Sequence, residues 1–137
     1  MELQFVGELK LRTKRLALRI INIYRSLPKT GEAQVIGRQM LRSGTSVGAN
    51  YRAVCRSRSD AEFVAKLGVV IEEADESQYW LELLVEAEIV KAARLNAVMA
   101  ELNELISIFV TARETARSRL QRSKVKSQKA LAKKVGV

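Results

Sequence analysis

Residues 59–86 read SDAEFVAKLGVVIEEADESQYWLELLVE. Within them Phe63, Leu67, Val70, Ala74, Ser77, Leu81 and Leu84 recur at alternating spacings of four and three, the period of a helix that buries one face. Val64, Ile71 and Val85 widen that face. Ser59-Asp60-Ala61-Glu62 is a capping box: the serine hydroxyl accepts from the amide of Glu62, and the glutamate reaches back toward the serine amide. The stretch is therefore a helix starting at residue 59. A helix this apolar along one side needs packed neighbours.

The rest of the chain supplies them. Upstream, Leu9, Thr13, Leu16, Ile20, Ile23 and Leu27 keep the same four-three rhythm and predict a helix from about Leu3 to Ser26, broken by Pro28 and Gly31. A second helix follows, with Ala33, Gly37, Met40, Gly44, Val47, Tyr51 and Val54 on one face. Its middle, Ser43 to Asn50, is small and polar with two glycines four apart. Each glycine costs about 1 kcal/mol against alanine in a helix interior, which calls for close helix approach or a local bend. Downstream, Leu95, Val98, Leu102, Leu105, Phe109, Ala112 and Ala116 define a fourth helix. Four amphipathic helices joined by short turns predict an all-α, antiparallel up-down-up-down four-helix bundle over residues 1–112. Beyond it, residues 113–137 read as a basic extension, partly helical or disordered.

Composition narrows the function. The 137 residues suit one domain, and the single cysteine, Cys55, allows no internal disulfide framework and reads as a small core residue. There is no histidine, the commonest zinc ligand and general base, and the carboxylates lack the Glu-x-x-His pattern of di-iron bundles. No catalytic residue, metal or cofactor is expected, and the chain is read as non-enzymatic. No run of about 18 uncharged apolar residues is present, and Glu2 and Glu8 stand where a basic leader would begin. A membrane partner is not expected; a cytoplasmic location is.

The net charge of +9 is unevenly distributed. Residues 1–58 hold 12 Lys+Arg against 3 Asp+Glu, residues 59–112 hold 3 against 11, and residues 113–137 hold 9 against 1. Such segregation asks for a partner, a second copy, or both. On the second helix Arg38, Arg42, Arg52 and Arg56 share an arc of about 80°. They form either a phosphate-tracking stripe or the counterpart of the acidic third helix, with Glu72, Asp75, Glu76, Glu82 and Glu86. In the extension, Arg117, Arg119, Arg122, Lys124, Lys126, Lys129, Lys133 and Lys134 cannot neutralise themselves and read as a nucleic-acid arm. If six to nine of its cations met phosphates, the log-log salt slope would be about −5 to −8. No motif that reads base edges is present, so little sequence specificity is expected. Tyr79 and Trp80 sit about 140° and 120° from the centre of the third helix's seam. They are read as an oligomer interface, with Trp80 bordering the core as the alternative. Ser43, Thr45, Ser46 and Asn50 lack an accompanying base and are assigned to hydrogen bonds between helices.

The run Gln39 to Arg52, with Ser59-Asp60, Phe63, Lys66, Glu72-Glu73-Ala74, Glu76-Ser77 and Tyr79-Trp80-Leu81, resembles a bacterial four-helix-bundle family encoded in intervening sequences of large-subunit ribosomal RNA genes. The likeness covers about residues 5–112. It implies a left-handed bundle assembled as a ring of about five subunits, a homopentamer, without enzymatic activity. A relative, the accessory protein of diversity-generating retroelements, implies binding of RNA or DNA and, as an alternative, an adaptor role toward a reverse transcriptase. Family members often have Glu where this chain has Ala53, so a hydrogen-bond network closed by that glutamate would have to be rebuilt.

Overall fold

A computed structural model describes residues 3–136 as four helices: α1 (Leu3–Arg25), α2 (Gly31–Val54), α3 (Asp60–Glu86) and α4 (Ala92–Lys134). They form the expected all-α bundle, each packed on the next in chain order, with α1 and α4 meeting least. Both ends show the up-down alternation. Arg94 at the start of α4 donates to Ser26 Oγ at the end of α1 (2.9 Å), and Arg119 pairs with Asp60, the first residue of α3 (3.2 Å).

The four-three seams are the core. Leu9, Leu16 and Ile20 of α1, Met40, Val47 and Tyr51 of α2, Leu67, Val70 and Leu81 of α3, and Leu95, Leu102 and Phe109 of α4 are all buried. Tyr51 and Phe109 rings meet at 5.4 Å in its middle, and burial pushes the Tyr51 phenol well above its usual range, with Cys55 adding to the shift. Gln34 latches the first turn, donating to Pro28 O (2.8 Å) and accepting from Tyr24 OH (3.4 Å). Ser59 caps α3 as expected, accepting from the Glu62 amide at 3.1 Å. The return bond lands one residue early, from the Arg58 amide to Glu62 Oε2 (3.2 Å), because Glu62 is also drawn to Lys66. That pairing, ahead of the Arg58 amide, holds the Glu62 carboxyl below the usual carboxylate range. Glu88 at φ 60° closes α3, letting Ile89 and Val90 donate to Leu84 O.

α2 is continuous through its two central glycines. A Cβ at Gly44 would fall 2.9 Å from Ile20 Cγ1, and one at Gly48 would fall 3.3 Å from the Thr13 carbonyl carbon. Close approach of α1 is what offsets the propensity loss. The polar side chains of the segment mostly turn back onto their own helix: Thr45 donates to Leu41 O (2.7 Å), Ser46 to Arg42 O (2.7 Å) and Asn50 to Ser46 O (2.9 Å). Of the segment's Ser, Thr and Asn side chains, Ser43 bonds between helices among the described residues, accepting from the buried Ser77 at 3.0 Å. The expected interhelical network thus reduces to one contact, since short hydroxyls in a helix reach the carbonyl four residues back more readily than a neighbouring helix. At Ala53 the carbonyl, not a side chain, receives a contact, from Lys66 Nζ at 3.5 Å.

α4 outlasts its neighbours. Its contacts with α3 continue past residue 112, through Arg113, which donates to Val64 O (3.2 Å) over Gly68, the buried Ala116, and Arg119. From Gln121 to Lys134 no side chain is buried, and those 14 helical residues extend about 21 Å. The extension is thus helical through Lys134, and it projects from residue 121. The described part of α4 also holds a stretch long and apolar enough by composition to cross a membrane. That stretch is used here as the bundle seam, and its Glu101 and Glu104 pair with Arg12 of α1.

Candidate nucleic-acid interface

The close approach at Gly48 creates a groove. With no side chain there, α1 and α2 share a floor of Thr13, Ala17, Thr45, Gly48 and Ala49, and a hollow of about 560 Å³ opens above it. Its rims carry Lys10 and Lys14 on α1, Arg52 on α2, and Arg56 in the turn that follows, because α2 stops at Val54 and does not carry all four arginines as expected. Lys10 and Lys14, spaced i, i+4 on α1, stand on the same face, and all four cations are exposed. No carboxylate lines the hollow, and none of the four makes an ion pair among the described residues. Four like charges over a narrow floor hold a positive potential that only an outside anion can relieve.

The four-arginine stripe of α2 therefore divides. Arg42 turns toward α3, where it pairs with Glu76 and with Glu73 (3.3 Å), and the Glu76 contact raises its guanidinium further above the usual range. Arg52 and Arg56 turn toward α1. Arg38 stands exposed without an ion pair among the described residues. Arg42 thus meets the acidic helix, whereas Arg52 and Arg56 border the α1/α2 hollow without a carboxylate partner among the described residues. Lys10 and Lys14 were not singled out from the sequence, because only the packing shows which face of α1 meets Gly48.

On the extension, Arg117 pairs with Glu114 (3.2 Å) and Arg119 with Asp60. Arg122, Lys124, Lys126, Lys129, Lys133 and Lys134 are exposed and make no ion pair among the described residues. Tyr79 and Trp80 touch edge to face at 5.0 Å but part company: Tyr79 is 53% exposed, whereas Trp80 packs against the core with its indole N–H buried. Among the described residues no three carboxylates or thiols gather as a metal site.

These features define an all-α bundle with a polycationic groove between its first two helices and a polycationic helical extension. The chain belongs to the 23S rRNA-intervening sequence protein family, which matches residues 8–111. It is also similar to a crystal structure from Bacteroides thetaiotaomicron, a protein of unknown function from the S23 ribosomal protein family. That likeness has 34% identity and a TM-score of 0.71, covering 76% of this chain and 96% of the other. No curated protein matches. The family match ends at residue 111, short of the projecting part of α4.

Proposed function

We propose that this protein is a non-enzymatic, homo-oligomeric bundle that binds RNA or DNA through its basic surfaces with little sequence specificity. The observation that carries the reading is the α1/α2 groove, where Lys10, Lys14, Arg52 and Arg56 converge with no carboxylate to neutralise them. Cations so placed bind phosphate and release its counterions, a gain independent of base sequence. The extension adds charge without a base-reading motif. A second reading, an adaptor for a nucleic-acid enzyme such as a reverse transcriptase, is favoured by one observation. At the bundle end near the extension, Phe5, Phe63, Ile108 and Ala112 line an apolar hollow of about 480 Å³.

The test is affinity for structured RNA and duplex DNA across a salt series. Three proteins are compared: the full chain, a chain ended at Leu120, and the full chain with Lys10, Lys14, Arg52 and Arg56 changed to Gln. Ending at Leu120 keeps Arg113, Ala116 and Arg119 on α3 and removes six cations and no acid. The groove variant should flatten the log-log salt slope by about 3 to 4 at 0.9 per phosphate contact. Absence of binding by the full chain at low salt overturns the reading.

A further inference from the structure

Two exposed rows in this chain match each other. On α3, Asp75, Tyr79, Glu82 and Glu86 follow one another at spacings of four, three and four and share an arc of about 60°. On the α4 extension, Arg122, Lys126, Lys129 and Lys133 have the same spacings and the same arc width. All eight side chains are exposed, and none makes an ion pair among the described residues. One row is anionic around a tyrosine, and the other is wholly cationic.

We propose that the extension of one copy docks along the α3 row of a second copy. The proposal rests on the homo-oligomeric part of the reading above and gives that association its surface. A single chain cannot make the contact. Arg119 is fixed beside Asp60, so the cationic row runs outward from the bundle while the acidic row lies toward the far end of α3. With α4 unbroken, Lys126 and Glu82 are separated by about 40 Å along the helices. A second copy brings them together, and since four-three-four reads the same from both ends, parallel and antiparallel alignments both place every member opposite one of the other row.

The tyrosine also finds a seat. Beside the cationic row, Gln121, Arg122, Val125, Lys126 and Lys129 border a depression of about 310 Å³. Tyr79 opposes Lys126 in one alignment and Lys129 in the other, so its ring reaches Val125 and a neighbouring ammonium in both. Docking uses one side of the extension. Lys124 lies on the opposite side of the helix and Lys134 about 110° round from the row's centre, so both stay available to phosphate.

The experiment is a charge swap on the full chain, read by sedimentation at low salt. Glu82→Lys with Glu86→Lys, and separately Lys126→Glu with Lys129→Glu, should each weaken self-association by about tenfold or more, and all four together should restore it. Unchanged self-association in both single-row variants overturns the proposal. Circular dichroism of each variant should match the parent, since all four positions are exposed. Nucleic-acid affinity on the same proteins separates the two readings. If Lys126→Glu with Lys129→Glu loses nucleic acid but keeps its mass, the row faces phosphate and the docking falls while the groove stands. If mass falls and the groove still binds, the docking is supported on its own.

Discussion

The two flanks of α2 are built from the same kinds of residue and end in opposite electrostatic states. Toward α3, Arg42 is met by Glu73 and Glu76, and a serine pair closes the interior. Toward α1, glycine replaces the side chains, the backbones draw together, and Arg52 and Arg56 border a hollow whose other charged residues are Lys10 and Lys14. An arginine's role in this bundle is thus set by the helix it leans toward. One flank satisfies itself, and the other is left with charge to satisfy elsewhere.

The largest expected effect comes from prying open the α1 flank. Gly44→Leu must displace Ile20, whose branched Cγ1 and Cγ2 lie 2.9 and 3.0 Å from where a Cβ would sit. It should destabilise the fold by about 1–3 kcal/mol in thermal unfolding. Stability equal to the parent would mean the two helices are not tightly apposed. Next, Arg52→Gln should lower the salt slope of nucleic-acid binding by about one contact, 0.9, while Arg42→Gln should leave it unchanged. Equal slopes for the two variants would erase the difference between the flanks. The smallest effect is acidic. Glu62, near the α2/α3 turn, has its folded pKa lowered by Lys66 and then by the Arg58 amide. Its contribution is present above the unfolded carboxylate pKa and is lost as pH falls through the lower, folded value. Glu62→Gln should therefore shallow the acid limb of a stability-versus-pH curve, and an unaltered limb would show that this contact is not linked to folding.

Much of the fold was readable because burial follows period. The four seams sit where their four-three spacing placed them, and Ser59 caps α3. The extension was harder: after Leu120 the apolar repeat thins, so it reads as partly helical or disordered, although its cations keep a four-three-four spacing that fits the helix observed. The groove was only half legible. Arg52 and Arg56 were visible as a stripe, but Lys10 and Lys14 join them through the rotation of α1 about its axis, which packing decides. Tyr79 and Trp80 stand 100° apart on the wheel, on either side of the seam, and because α3 lies between α2 and α4 a ring as long as tryptophan's reaches the core from its flank position. Hydroxyls cannot be assigned to a partner helix from sequence, since a carbonyl of their own helix is always within reach.

The reach of α4 past the bundle has one more consequence. A single unbroken helix here holds two very different opening free energies. Before Leu120 its amides are shut by a packed core; after it, each is guarded only by the adjacent turns, over a length at which an isolated helix is marginal in water. Deuterium should therefore enter α4 from its C-terminal end and halt near Leu120. Any surface that clasps the extension, in another copy or on a polyanion, would announce itself as protection spreading outward along the same helix.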